Sequence, residues 1–269
     1  MNEPANPFQS PQTISDPPQT GSGPAATGKR IIPYASGHTR AMCTIWLLAL
    51  GILTDLAGVG SGYMEINLLT RAQSGGLISP AEAESNDLRQ GAVGLMQTAI
   101  YLASAVAFLM WFHRAHRNLP ALGAWNLKYS PGWAVGSWFI PILNFFRPYQ
   151  IMAEVSRESN PDAIRPGSLF PGEGRASPLL GWWWALWLIM NFAGQAAMRL
   201  SLRAESLELL KAASWTSVIA DLISLPAALL AIMVVRGVDA NQAERYQLLQ
   251  QASGATGPAS GDSRFAFPT

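Results

Sequence analysis

Two aspartates stand inside long apolar runs of the chain. Asp55 lies within the run 41–63, and Asp221 lies within the run 212–235. An aspartate in the middle of a membrane helix costs about 2.5–3.5 kcal/mol on insertion scales, so each needs a compensating interaction. In antiparallel spans, both would lie about 12–14 Å below the same membrane surface. Two carboxyls at one depth could share a proton or hold a cation. Alternatively, each is neutral or hydrogen-bonded to a neighbouring helix.

A second set of polar residues shares one helical face. Asn191 and Gln195 are four residues apart in a tryptophan-rich apolar run, and Arg199 continues the same face one turn later. This face could meet Asp55 or Asp221 and complete a substrate site. The alternative is hydrogen bonding between helices, worth about 0.6–2 kcal/mol per bond.

The residue types that other chemistry needs are sparse. His113 and His116 are three residues apart and could share a metal ion, but no third ligand stands near them in the sequence. Cys43 is the single cysteine, which excludes an intrachain disulfide and a cysteine-based metal site. The chain carries no nucleotide-binding loop, nucleophile elbow or zinc-protease motif. We therefore predict a protein that is not an enzyme and has no catalytic residues, cofactor or metal.

Composition places the chain in the membrane. Apolar residues make up 49% of it and charged residues only 13%, whereas soluble domains carry about 25% charged residues. The run 91–112 holds twenty-two residues without a charge, enough to span about 30 Å of hydrocarbon. The net charge of +1 provides no basic footprint for a nucleic acid.

The apolar runs predict an all-α, polytopic transmembrane helical bundle. Four spans are expected, over residues 41–63, 91–112, 179–198 and 212–235. Residues 132–146 are apolar but short, with Pro141 inside and Pro148 just after, so they predict a re-entrant or interfacial segment. The expected divisions are a disordered proline-rich tail (1–40), a transmembrane domain (41–236), and a polar helix (239–251) with a disordered tail within 237–269.

The distribution of lysine and arginine predicts the orientation. With four spans and a cytoplasmic N-terminus, thirteen of these residues lie inside and five outside; if residues 132–146 crossed, the counts would be nine and nine. Cytoplasmic loops carry the excess of positive charge. The charge bias therefore favours four spans with both termini cytoplasmic.

Residues 111–161 contain a series of specific motifs. They are W-x-x-R-A-x-x-N-L from Trp111, S-P-G-W-A-V from Ser130, W-F-x-P-x-x-N from Trp138, and R-P-Y-Q from Arg147. The tail motif V-V-R-x-V…Q…E-R begins at Val234. In these motifs the chain resembles a bacterial membrane family, the domain of unknown function 4328 family. The resemblance covers roughly residues 40–250 and implies an integral membrane protein of uncharacterised activity, with no catalytic residues to carry over.

The polar residues of these motifs lie where one span ends and the proline-bearing segment begins. They could satisfy backbone groups freed by Pro141 and Pro148, or they could bind the phosphates of lipid headgroups. The residues in question are Arg114, Asn118, Asn144 and Arg147.

Two functional interpretations remain open. The first is a non-enzymatic, multi-pass protein of the bacterial cytoplasmic membrane that acts as a scaffold, regulator or lipid-binding component. Its partners would be anionic lipid headgroups, a second copy, or another membrane protein. The second is a small channel or transporter in which Asp55, Asp221 and the broken segment line a path.

Overall fold

A computed structural model of the chain describes residues 33–165 and 174–255. All regular secondary structure in these residues is helical, which confirms the expected all-α class for the described part of the chain. The helices are α1 (His38–Gln73), α2 (Pro80–Asn118), α3 (Trp133–Gly136), α4 (Arg147–Ser159), α5 (Leu179–Leu202) and α6 (Leu207–Ala255). Short 3₁₀ turns cover Leu119–Leu122, Leu143–Phe145 and Pro161–Ala163. Of the predicted disordered tails, residues 1–32 and 256–269 lie outside the described residues, and residues 38–40 belong to α1.

Three of the described helices, α1, α2 and α6, are long and apolar enough to cross a membrane. Each extends beyond its apolar run, because polar residues with good helix propensity flank the runs. α2 begins with a capping box, in which the side chains of Ser79 and Glu82 each accept a hydrogen bond from the other residue's backbone N–H. The acidic residues before run 91–112, namely Glu82, Glu84 and Asp87, therefore lie in the first turns of α2.

Residues 239–251 are helical, as expected, but they do not form a separate helix. α6 continues without a break from Leu207 to Ala255, 49 residues or about 73 Å. Buried residues recur along one side of this helix at spacings of three and four, so packing holds the helix together where polarity suggested a boundary. Those near the C-terminal half are Val234, Val235, Val238, Gln242 and Arg245.

The long helices pack in the order α2, α1, α6 and α5. α1 lies against both α2 and α6, and α5 lies against α6. Gly62 of α1 allows the close approach of α6, because a β-carbon there would overlap Val218. α2 and α5 are not packed along their lengths; the rings of Phe108 and Trp183 join them, with centroids 5.8 Å apart. This leaves a cleft between α2 and α5.

α5 has the length of a span and contains four tryptophans. It contains 24 residues, about 36 Å, and includes Asn191 and Gln195. It is not among the three helices that meet the length and apolarity of a membrane span.

The proline-bearing segment forms no continuous helix. Residues 132–146 contain only the single turn α3 and the 3₁₀ turn Leu143–Phe145. Trp138 anchors the segment by contacting Phe108, Trp184 and Trp187 edge to face, with ring centroids 5.3–5.8 Å apart. The segment therefore packs across the ends of α2 and α5 and is too broken to cross a membrane as one helix.

Side-chain contacts show which helix ends lie together. Asn118 at the end of α2 hydrogen-bonds to Ala35 before α1 and to Gln242 of α6; we call this the signature end. At the other end, Lys211 of α6 donates to Gln73 of α1 at 3.2 Å. The α1–α2 and α5–α6 connections thus lie at the end opposite the signature end, which we call the loop end.

We predict that thiol labelling separates these two ends in spheroplasts. In a Cys43→Ser background, Ser85→Cys and Glu205→Cys should react with a membrane-impermeant reagent, because both residues are exposed at the loop end. Asn126→Cys and Gln250→Cys, exposed at the signature end, should react only after permeabilisation. Labelling of Asn126→Cys together with Ser85→Cys would contradict this topology.

Candidate functional site

The two intramembrane carboxyls meet at a shared amide. Gln97 of α2 donates through Nε2 to Asp55 Oδ1 at 3.3 Å and to Asp221 Oδ1 at 3.1 Å. The hydroxyl of Ser224 also contacts Asp55 Oδ2. We call Asp55, Gln97, Asp221 and Ser224 the carboxyl cluster. Three helices thus converge on one polar centre, which supplies the compensating hydrogen bonds that the aspartates require.

The protons available in this cluster are few. Gln97 provides two N–H groups, one for each carboxyl. Ser224 has a single hydroxyl proton but two acceptors, Asp55 Oδ2 and the backbone carbonyl of Asp221 at 2.7 Å. Both contacts of Ser224 are satisfied together only when Asp55 itself donates a proton. Gln97 and Ser224 thus supply three protons for four contacts, one fewer than the contacts require.

Two members of the cluster, Gln97 and Ser224, were not predicted from the sequence. Gln97 is a strongly polar residue in the uncharged run 91–112, and Ser224 follows Asp221 by three residues on the same helical face. Both signals were in the sequence. What it lacked was the rotation of α2, which decides whether Gln97 faces α1 and α6 or the surroundings.

A glycine makes room for the cluster. A β-carbon at Gly58 of α1 would overlap the Asp221 carboxyl and the Gln97 amide. At Gly60, two residues along, a β-carbon would meet nothing within 4 Å. Gly58 therefore does more than allow close helix packing, because it leaves the volume that the polar side chains occupy.

The cleft between α2 and α5 adjoins the carboxyl cluster and has a volume of about 390 Å³. Such a volume is in the range of ligand-binding cavities. Its wall is mostly apolar and aromatic, with a few convergent polar groups. The polar lining residues are Thr54, Asp55, Gln97, Tyr101, Ser104, Asn144, Asn191 and Ser224. The aromatic walls include Phe108, Trp138, Phe139, Trp183 and Trp187.

The predicted polar face of α5 is divided by the fold. Asn191 lines the cleft and donates through Nδ2 to the backbone carbonyl of Trp187 at 2.7 Å. Gln195 and Arg199 are exposed and do not line the cleft. The expected face that carries both amides and Arg199 to the carboxyls is therefore not formed. Only Asn191 reaches the cleft, and Gln195 and Arg199 lie on the following turns, where they are exposed.

A second polar network occupies the loop end of the same helices. Glu65 of α1 accepts hydrogen bonds from Gln90 of α2 at 2.8 Å and from Ser214 of α6 at 2.9 Å. Ser61 donates to Gln90 at 2.9 Å, and Arg89 donates to Ser61 at 3.2 Å. The same three helices thus hold polar groups at two depths.

Residues of the predicted signature build the core at the signature end. Trp111 is 1% exposed and packs in the main hydrophobic cluster. Asn118 donates to the Ala35 carbonyl at 3.0 Å and to Gln242 Oε1 at 3.2 Å, and Arg114 donates to the Ala35 carbonyl at 3.1 Å. The expectation that Arg114 and Asn118 satisfy backbone freed by the prolines is therefore wrong. They hold the segment before α1, which sequence spacing could not place beside the end of α2.

The other signature residues lie around the broken segment. Pro148 is buried at the start of α4, while Pro141 is exposed. Arg147 donates to the Tyr129 hydroxyl at 3.0 Å, and its guanidinium lies 5.4 Å from the centre of the Tyr129 ring. Asn144 lines the cleft, and its Oδ1 is buried without a hydrogen-bond partner among the described residues.

Buried polar side chains connect α2, α4 and α6 at the signature end. His116 faces Glu154 at 3.3 Å, not His113, and the other oxygen of Glu154 accepts from the Lys128 backbone N–H at 2.6 Å. Arg245, 5% exposed, donates to the backbone carbonyls of Leu122 and Asn160. These hydrogen bonds connect α2, α4 and α6 to one another and to the turns between them. In the described part of the chain, no group of three or more His, Cys, Asp or Glu side chains is placed to hold a metal ion.

The family model of the domain of unknown function DUF4328 matches residues 74–240, more than half of the chain. The chain therefore belongs to this family, as the motifs from Trp111 onward indicated. No curated protein and no solved structure matches the chain. The matched range contains Gln97, Asp221 and the motif residues 111–161 but not α1, which supplies Asp55 and Gly58.

We predict that Gly58→Ala disrupts the carboxyl cluster. The added methyl must displace Asp221 and Gln97, so we expect a loss of about 1–3 kcal/mol in unfolding free energy. Gly60→Ala is the matched control and should be neutral or slightly stabilising, because alanine favours a helix. Thermal unfolding of the detergent-solubilised variants, followed by tryptophan fluorescence, measures both. Equal melting temperatures for the two variants would contradict the close packing at Gly58.

Proposed function

We propose that this DUF4328 protein is a non-enzymatic, multi-pass membrane protein that binds a small amphipathic molecule inside the bilayer. The observation that carries the proposal is the cleft between α2 and α5, which combines apolar walls with the carboxyl cluster. A regulatory or carrier role in the bacterial cytoplasmic membrane follows from a site of this kind.

The membrane arrangement that we propose has four spans, with α5 as the fourth. Two observations support it: the α1–α2 and α5–α6 connections share one end, and thirteen of eighteen lysines and arginines fall on the other side in this arrangement. The broken segment then lies at the cytoplasmic side, between the ends of α2 and α5. Both termini are cytoplasmic in this proposal.

The composition of the cleft supports an amphipathic ligand. Apolar and aromatic side chains form most of its wall, while its polar groups concentrate on α1, α2 and α6 around Asp55 and Gln97. Ligand pockets typically pair extensive apolar contact with a few polar groups that fix orientation. Because α2 and α5 do not pack along their lengths, a ligand dissolved in the bilayer could enter between them.

Anionic lipid headgroups are the second partner that we propose. Arg40 at the start of α1 and Arg117 at the end of α2 are exposed at the signature end, and Arg147 is half-buried at the start of α4. Basic residues beside a span attract anionic lipids, with about 1 kcal/mol for each lysine or arginine near the surface. Such lipids would stabilise the signature end against the cytoplasmic leaflet.

Filling the cleft should weaken the binding of a neutral probe. We expect adamantanol to bind the wild-type protein in nanodiscs, measured by native mass spectrometry, and Ala105→Trp to weaken this binding about tenfold or more, because an indole there occupies the cleft. Ala103→Trp is the control, since Ala103 is exposed on the same helix and does not line the cleft. Equal binding to both variants would overturn the proposed site.

A small channel or transporter is the second candidate. The two polar networks on α1, α2 and α6, around Glu65 and around Asp55 with Asp221, favour it, because polar groups at successive depths recur in ion pathways. Flux of protons or potassium into proteoliposomes distinguishes the candidates. In a transporter, Asp55→Asn should abolish flux. A ligand-binding scaffold should show no flux in the wild type or in the Asp55→Asn variant. Its fold should tolerate Asp55→Asn because asparagine keeps hydrogen-bonding atoms.

A further inference from the structure

We infer that the ligand of the cleft is an organic amine, with its ammonium group at Asp55 and its apolar body against the aromatic wall. This inference rests on the proposed binding function and assigns the chemical class of the ligand.

The carboxyl cluster has no countercharge within the described part of the chain. The hydrogen-bond donors to Asp55 and Asp221 are an amide and a hydroxyl. The ion pairs of the described residues involve other acids, such as Asp239 and Glu154. A charged carboxyl in a low-dielectric site without a cation is costly. A ligand ammonium would provide the missing charge and a charge-assisted hydrogen bond, about twice as strong as a neutral one.

The lining of the cleft selects for a cation over an anion. Among the described residues that line it, Asp55 is the only aspartate, glutamate, lysine, arginine or histidine. A carboxylate or phosphate group would face Asp55 with no basic side chain to bind it. A neutral alcohol could hydrogen-bond to Asp55 but would leave its charge uncompensated.

Aromatic rings surround the path between Asp55 and the signature end. Tyr101 and Phe108 of α2 face the cleft from one side and Trp187 of α5 from the other, with Trp138 of the broken segment between them. Aromatic faces attract organic cations, most strongly where water is excluded. They also bury the hydrocarbon part of an amine. The cleft therefore offers both components of an amine-binding site.

Unused hydrogen-bonding groups lie at the signature side of the cleft. Trp138 Nε1 and Asn144 Oδ1 are buried without a partner among the described residues, although both side chains line the cleft. Buried polar atoms of native proteins usually have a partner. Both atoms are enclosed by protein atoms, so the amine-binding site itself rests on Asp55 and the aromatic wall.

Three probes with one apolar cage and different polar groups test the inference. Aminoadamantane, adamantanol and adamantane carboxylate are titrated at neutral pH into the full-length protein in nanodiscs of zwitterionic lipid. The fluorescence of the tryptophans that line the cleft reports binding, and empty nanodiscs correct for partitioning. We expect aminoadamantane to bind about tenfold tighter than adamantanol, equivalent to about 1.4 kcal/mol, and the carboxylate to bind weakest.

Two variants locate the selectivity. Asp55→Asn should abolish the preference for aminoadamantane over adamantanol, and a helical circular-dichroism spectrum equal to that of the wild type shows that the variant is folded. Asp87→Asn, an exposed aspartate of α2 away from the cleft, should keep the preference for the amine.

Each other outcome overturns a specific statement. Equal affinities for amine and alcohol in the wild type would refute the amine class and leave the proposed binding function intact. An amine preference that survives in Asp55→Asn would refute the role of Asp55. If none of the three probes binds the wild type, the proposed binding function fails as well.

Discussion

Hydrocarbon offers no hydrogen-bond partners, so polar groups enclosed in an apolar bundle must hydrogen-bond to one another. This constraint determines how the described helices are arranged. Inside the bundle, Asp55 and Asp221 are tolerated because Gln97 and Ser224 reach them from neighbouring helices. At the signature end, Asn118, Gln242 and Arg245 satisfy backbone carbonyls of separate chain segments. Hydrogen bonds between polar groups of different helices therefore fix the positions of the helices as much as apolar packing does.

The two polar regions have different consequences. The signature end is fully packed: Trp111 and Phe112 are buried with Ile151, Met152 and Val155, and the buried polar groups bond mostly within the chain. This explains why the family motifs concentrate there, since they specify how α2, α4 and α6 fit together. The carboxyl cluster instead borders the cleft and has no cationic partner among the described residues. Structure at one end and the proposed ligand binding in the cleft are therefore separable, and substitutions in the two regions should have different effects.

Local sequence patterns predicted much of the fold. The uncharged run 91–112 and the apolar runs around Asp55 and Asp221 identified three helices of membrane length, and Pro141 with Pro148 identified a segment that forms no long helix. Patterns failed where packing overrode polarity. α6 continues past residue 239 because Val238, Gln242 and Arg245 are buried against the rest of the chain, so a polar stretch became part of a long helix.

For the site, the sequence alone was enough to predict the two costly carboxyls, their matching depth, and the family motifs. Their depth follows from counting residues along helices of fixed rise. The packing of the helices was needed to show that Gln97 joins the carboxyls, that Gly58 leaves room for them, and that Gln195 and Arg199 lie away from them. These facts depend on the rotation of each helix about its axis and on the order α2, α1, α6, α5. In a chain whose spans are apolar on nearly every side, no periodicity encodes that rotation, so contacts between distant residues set it.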